Sequence, residues 1–277
     1  MLPSPTLPAS LLVVLENLRG VFTAPSFATF TALATGLIAN TGTGTVTGML
    51  TCAGLARSWP HDRAHSFFSR ATWSADTLGL YLSRLIVRTL LPDGAALTVA
   101  VDDTLFKQRG KKVFGAAWQH HGAARGDKPV GFGTCFVVLG LIVELPFCTR
   151  PFCTRPFCTR PFCTWPFCLP VAVRLWRPKT GPTKVDIAAA LVKQLAVWHR
   201  DRPIHVVADA AYHGPALRHL PGRITVTTRL PASAVLYDLA PPPTGKRGRP
   251  PAPRATGSAP PPSWRTPRRS PPPRSCA

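Results

Sequence analysis

The sequence predicts an α/β fold, with helices packed against a mixed sheet, a helical region in front and a segment without core-forming residues behind. Three observations carry this. Residues 97–230 alternate strand-type apolar runs with one amphipathic helical stretch, in the order three or four strands, helix, strand, strand. Residues 1–96 show helical spacing in several segments joined by turns. From Pro250 to Ala277 there is no Val, Ile, Leu, Met, Phe or Tyr, and ten of these 28 residues are Pro. A chain of 277 residues holds one large domain, or a domain and a half, with a real core. The divisions expected are a helical region over 1–96, a core over 97–238 interrupted by a repeat at 146–168, and a basic tail over 239–277.

In the helical region, Ser10 stands as an N-cap ahead of Leu11, Leu15 and Leu18 on one face. Phe27 to Ala39 predicts a second helix, ended by the turn Thr41-Gly42-Thr43-Gly44-Thr45. No strand precedes Gly42 and Gly44 and no Lys-Ser/Thr follows, so these glycines do not make a phosphate loop. His65 to Leu91 places Leu78, Leu82, Leu85 and Leu90 at helical spacing, and Pro92-Asp93-Gly94 closes the segment as a turn. No charge occurs between Arg19 and Arg57, yet Pro25, Asn40 and the Gly-Thr run interrupt that window before about 20 apolar residues accumulate, so no membrane span is expected. No cationic segment leads an apolar one at the N-terminus, which predicts a cytoplasmic protein with reduced thiols.

The core opens with Leu97-Thr-Val-Ala-Val101, where Leu97, Val99 and Val101 share one face. This strand is expected to stop at Asp102 and Asp103. An Asp pair there reads either as a turn opener or as a metal position held by the sheet, where hard cations take oxygen ligands. Lys112 to Gly122 and Gly131 to Leu145 predict two further strands, the second apolar enough to be buried on both faces. Leu169 to Trp176 resumes a strand. Thr183-Lys-Val-Asp186 is a capping signal for a helix with Ile187, Leu191, Leu195 and Trp198 on one face. Ile204 to Ala208 is a strand that also ends in an acid, Asp209, and Arg223 to Leu230 is the last. Two strand-terminal acids in one domain favour the metal reading over the turn.

The charge is +21, and it is uneven. Residues 1–96 carry six basic and four acidic groups, residues 97–238 nineteen and eight, and residues 239–277 eight and none. A positive field of this kind attracts polyanions, nucleic acid above all. Lys107, Arg109, Lys111 and Lys112 are candidates for phosphate contact, and they read as well as a solvated charged face. His120, His121 and His213 stand near the predicted strand ends, where structural roles are commoner than catalytic ones.

From Pro146 the chain reads PFCTR three times, then PFCTW and PFC, which accounts for five of the eight cysteines. Period five matches neither strand nor helix, and a Pro every fifth residue removes a backbone donor, so no regular element is expected through it. Paired Cys at two-residue spacing and accompanying His are missing, which argues against a zinc site. A tandem expansion within a strand connection explains the pattern. The tail cannot bury a core and is expected to be disordered. At its front, Lys246-Arg247-Gly248-Arg249-Pro250 contains an Arg-Gly-Arg-Pro core similar to the AT-hook, a minor-groove binder, and also reads as a basic linker.

Taken together, Asp102-x-Thr104 with Lys107 and Gly110, the segment Val207-Ala-Asp209-Ala-Ala-Tyr212, the run Phe67-Phe-Ser-Arg70 and the segment Gly245 to Pro250 resemble bacterial insertion-sequence transposases with a DDE catalytic core. The resemblance spans about residues 10–250. It implies an RNase H-like fold, with the first acid on the first strand and the second after the fourth. It implies Asp102 and Asp209 as catalytic metal ligands, with Asp103 the alternate for the first. It also implies a two-metal site for Mg²⁺ or Mn²⁺, DNA at the insertion-sequence ends as substrate, a nucleoid-associated location, and Lys246, Arg247 and Arg249 as further DNA contacts. In such chemistry two ions activate the nucleophile and stabilise the leaving oxygen of a phosphodiester.

The family's third acid, a Glu on a later helix, has no counterpart, because Asp238 is the last acid in the sequence. The loss of apolar residues after Arg249 reads as a frameshift into GC-rich codons. The expected function is therefore a DDE transposase that is catalytically incomplete, with weakened metal binding. The alternative is a non-catalytic DNA-binding remnant or regulator of transposition, acting through self-association or on a full-length relative.

Overall fold

The computed structural model describes residues 7–110, 112–120, 130–150, 163–179, 181–230, 236–237 and 255–257. Four helices come first: α1 (Ala9–Glu16), α2 (Ala24–Ala39), α3 (Val46–Cys52) and α4 (His61–Ser69). Leu15 and Leu18 are buried as the spacing requires, but Pro8 and not Ser10 takes the N-cap position of α1. Pro25 lies in the first turn of α2, where its missing N–H costs nothing, so it opens the helix instead of interrupting it. The Gly-Thr run is the loop to α3, and Thr45 caps that helix by accepting from the Gly48 N–H at 3.1 Å. A core of Ala32, Leu33, Leu50, Leu55, Trp59, Ala64 and Phe67 joins α2, α3 and α4.

The single helix expected over 65–91 is two. After α4 the chain turns, with Trp73 Nε1 donating to the Phe67 carbonyl at 2.9 Å, and Ser74 caps α5 (Ala75–Leu90). The buried stripe of α5 is Gly79, Ser83, Ile86 and Val87, and Leu82 and Leu90 lie at its margin. Hydropathy misplaces this face because two of its residues are small or polar. Gly79 lets α5 approach a neighbouring strand so closely that an added Cβ would sit 1.9 Å from the Val171 carbonyl oxygen. Ser83 donates to the Leu80 carbonyl at 2.7 Å and shares a 2.9 Å hydrogen bond with His199. α5 therefore belongs to the core of the sheet, not to that of α2–α4.

The sheet contains β1 (Leu97–Lys107), β2 (Ala117–His120), β3 (Val130–Arg150), β4 (Cys163–Trp176), β5 (Ile204–Ala208) and β6 (Ile224–Thr228). Its order is β2-β3-β1-β5-β6, with β4 also on β3. β1 pairs antiparallel with β3 and parallel with β5, and β5 pairs parallel with β6. This is a mixed sheet, in line with the RNase H-like expectation. The second acid follows β5, the fifth strand in chain order, because the short β2 intervenes.

Helix α6 (Lys184–Trp198) starts at the expected capping box, in which Thr183 and Asp186 each accept from the other's backbone N–H. α5 and α6 cover one face of the sheet, and Arg174 on β4 ties them together through Asp76 at 2.6 Å and Gln194 at 2.9 Å. At the end of α6, Arg223 donates to the carbonyls of Ala196, His199 and Arg200, groups the helix itself leaves unpaired. The core there includes Leu97, Val99, Val101, Val137, Leu139, Leu141, Leu191 and Val206.

Strand pairing runs into the repeat, against expectation. Thr149 pairs with Thr164 and Arg150 with Cys163, and Pro166 and Pro170 sit within β4. β4 has β3 as its partner, so a Pro whose nitrogen faces away from β3 removes no ladder bond. Register shifts near Gly140 and between Glu144 and Thr149 absorb the remaining mismatch. Residues 151–162, most of the 239–277 tail and Asp238 lie outside the described residues.

Gly79→Ala is expected to lower stability by about 1–3 kcal/mol through forced separation of α5 from β4. Gly222→Ala, where nothing lies within 4 Å of the added carbon, is expected to change it by under roughly 0.5 kcal/mol. Urea unfolding midpoints of the two variants check the contrast.

Candidate active site

Unequal strand lengths create the site. β5 pairs with β1 up to Ala208 opposite Val101, and there it ends. β1 continues along β3 to Lys107. The acids Asp102 and Asp103 are thus inside a strand and not at its end. The strand lasts longer than its apolar pattern because β3 still supplies backbone partners after β5 has turned away. In a parallel pair this opens a crevice at the carboxyl end of the shorter strand.

Asp102 and Asp209 each stand one step past the last pair of the β1–β5 register, Val101 with Ala208. Val101 and Ala208 are buried under the helices, so the pleat turns Asp102 and Asp209 to the outer face, and both are exposed. Thr104, two residues on, is exposed on the same face. Asp102 Oδ1 accepts from the Asp103 N–H at 2.7 Å, and Asp209 Oδ1 accepts from the Ala211 N–H at 2.9 Å as it caps a 3₁₀ turn, Ala210–Tyr212. Among the described residues each carboxylate keeps Oδ2 without a donor. Two hard oxygen donors of this kind suit one hydrated Mg²⁺, which binds through one or two carboxylates and keeps several waters. Among the described residues no group of three or more His, Cys, Asp or Glu is placed to hold a metal.

Asp103 faces the other way and is engaged by three groups. Lys184 Nζ donates to Oδ2 at 2.7 Å, Cys135 Sγ donates to the same oxygen at 3.2 Å, and the Tyr212 hydroxyl donates to Oδ1 at 3.3 Å. The Lys184 ammonium also lies 4.7 Å from the Trp176 ring centroid. One carboxylate therefore joins β1, β3, the start of α6 and the turn after Asp209. Burial, then the hydrogen bond and charge of Asp103, push the Cys135 thiol from 9.0 up to about 11. Burial, then Asp103, also raise the Tyr212 hydroxyl. For Lys184 burial acts downward, but the hydrogen bond and charge of Asp103 outweigh it and the net direction is up.

Sequence reasoning missed Lys184 and Cys135 and named Tyr212 only as part of a segment. One signal was present. A Lys in the first turn of a helix opposes the helix dipole, so Lys184 needed a nearby anion. Cys135 looked like any small apolar residue on β3.

Lys107, Arg109 and Lys112 are exposed at the end of β1 and in the loop that follows. His120 ends β2, exposed, and His213 hydrogen-bonds the Ala210 carbonyl at 2.6 Å, a structural contact within the turn after Asp209. Lys111, His121, Lys246, Arg247 and Arg249 lie outside the described residues. Among the described residues no helix is long and apolar enough to cross a membrane.

Cys135, Tyr212 and Lys184 each hold a proton more tightly in the folded chain than in the unfolded one. Stability is therefore fully present below the ordinary thiol range and falls as pH rises through it. Thermal unfolding midpoints are expected to drop between about pH 8 and pH 11, and Cys135→Ala to flatten the first part of that drop.

A search of curated proteins finds no match to the chain. A model of the family described as DDE superfamily endonuclease matches residues 17–275. The matched range includes Asp102 and Asp209 and extends past Arg249, and it does not show a truncation. With nearly the whole length matched, this chain belongs to the DDE superfamily of endonucleases.

Proposed function

We propose that the chain is a transposase-type nuclease acting on DNA phosphodiesters at insertion-sequence ends, with Asp102 and Asp209 as its metal-binding carboxylates. The observation that supports this is the register of β1 and β5, whose last pair, Val101 with Ala208, comes immediately before the two exposed acids. Asp103 is not a ligand in this reading, because Lys184 already neutralises it. Asp102 and Asp209 hold the cation, Mg²⁺ or Mn²⁺, and Lys107, Arg109, Lys111 and Lys112 neutralise flanking phosphates. Bound there, the cation supplies Lewis acidity toward a phosphoryl oxygen and lowers the pKa of an attacking water or hydroxyl. Lys246, Arg247 and Arg249 add contacts that fix no sequence. The protein works in the cytoplasm, on the nucleoid.

The site is incomplete. No Asp or Glu occurs in residues 239–277, so no third carboxylate comes from that segment. Metal binding is weak in consequence, and transposition is not supported.

A second reading follows from the charge of +21. The chain then binds DNA without cutting it and regulates a full-length relative, by competing for the same ends or by associating with it. In this reading Asp102→Ala leaves DNA affinity and its salt dependence unchanged.

Titration calorimetry is expected to show Mg²⁺ binding on the order of millimolar. Asp102→Asn and Asp209→Asn should each abolish it, whereas Asp103→Asn should keep it and lower the unfolding midpoint. Loss of binding in Asp103→Asn alone would move the ligand assignment to Asp103. On duplexes carrying the element's ends, no Mg²⁺-dependent strand transfer is expected, and efficient strand transfer would refute the incompleteness.

A further inference from the structure

Strand pairing decides which side chains share the outer face with Asp102, since directly opposed residues lie on the same side of a sheet. On β1, Thr104 and Phe106 follow Asp102 at two-residue steps. Phe136 of β3 pairs with Thr104, and Phe132 pairs with Trp118 of β2. Phe106 meets Phe136 edge-on with ring centroids 5.6 Å apart, and Trp118 lies 5.8 Å from Phe132. Leu175 of β4 pairs with Phe136. Gly115, at φ 73°, packs its backbone on the Leu175 side chain and so carries Phe114 to the same region. The two ring pairs thus share the outer face with the acids, between them and the edge formed by β2.

This surface is open and strongly cationic. Phe114 and Trp118 are each 72% exposed and Phe106 is 53% exposed. Phe114 and Trp118 border a cavity of about 560 Å³ whose other side is Arg177 and Lys179, and the Arg177 guanidinium lies 5.4 Å from the Phe114 centroid. No acid occurs in residues 104–120 or 177–179, while Arg109, Lys112, Arg177 and Lys179 are all exposed.

The combination selects among occupants. An apolar protein partner would bury the rings but leave the cations uncompensated. A duplex would satisfy the cations through its phosphates but keep its bases stacked away from the rings. Unpaired nucleotides use both, with phosphates on the cations and base faces on the aromatic side chains. We infer that Trp118, Phe114 and Phe106 form a stacking platform for unpaired DNA nucleotides next to the phosphodiester presented to Asp102 and Asp209, a role that rests on the DNA reading above. Phe106 is four residues from Asp102, about 13 Å along the strand. A strand held at the acids therefore reaches the platform within a few nucleotides.

Fluorescence anisotropy on the full chain, with a blunt duplex and the same duplex bearing a single-stranded overhang, tests this. The overhang is expected to tighten binding about tenfold, the scale of one or more stacked bases. Trp118→Ala should remove most of that gain and leave affinity for the blunt duplex within about twofold, while Trp118→Phe should retain it. Because the side chain is largely solvent-exposed, circular dichroism of the variants should match the parent. Equal affinity of the parent for the two duplexes would overturn the platform, as would a Trp118→Ala loss that is the same on both. Failure to bind any DNA would overturn the DNA reading and the platform with it.

Discussion

The structure depends on β1 having neighbours of opposite direction and unequal length. β3 runs antiparallel and continues along β1 to Lys107, while β5 runs parallel and stops opposite Val101. Up to that point β1 is paired on both edges and buried on one face, with Leu97, Val99 and Val101 at most 3% exposed. Beyond it one edge is released, and the polar residues the core could not accept appear at once. The acids stand at this transition because a carboxylate there is held by a paired backbone on one side and reaches water on the other. An earlier position would bury an unpaired charge at a cost of several kcal/mol.

The two adjacent acids divide two tasks by pleat alone. Asp103 turns inward and is neutralised by Lys184 at 2.7 Å, with Cys135 and Tyr212 completing its hydrogen bonds. The pair is about one-quarter exposed on each side, so it is screened less than a surface salt bridge. Charge-assisted hydrogen bonds of this type contribute roughly 1.5–3 kcal/mol. More consequential is what the cluster fixes. Tyr212 belongs to the turn that Asp209 caps, and Lys184 to the first turn of α6. Position is thereby transmitted from β1 to the acid beside it.

What was legible in the sequence follows local chemistry. Ile204–Ala208 was readable because alternating apolar residues ended in a polar one, and α6 because Thr183 and Asp186 form a box closed within four residues. The α/β class followed from the order of such segments. What was not legible depended on tertiary contacts. β1 outlasts its hydropathy because β3 pairs with it, and α5 turns a stripe through Gly79 and Ser83 to the core because β4 comes so near. The repeat enters strands because an edge tolerates proline. At the site, the acids Asp102 and Asp209 were visible after apolar runs, and the Asp102-x-Thr104 pattern favoured Asp102 over Asp103, but which face each carboxylate takes was not legible. The faces required the register, which turns Asp102 outward and Asp103 inward.

Asp102 lies on β1 and Asp209 directly follows β5, and Lys184, the cation that pairs with Asp103, is committed to the opposite face. Each uses Oδ1 on a backbone N–H, which fixes its orientation without neutralising it. A divalent cation held by both would compensate their like charges. The cationic surface beyond Thr104 lies too far along β1 to do so, because Lys107 is five residues from Asp102, about 16 Å. Two exposed carboxylates thus stand where β5 ends, in a chain whose net charge is +21. A polyanion attracted by the wider field meets, at the acids, a site that repels it unless a metal intervenes. In the proposed reading, metal occupancy and phosphate approach at these acids favour each other.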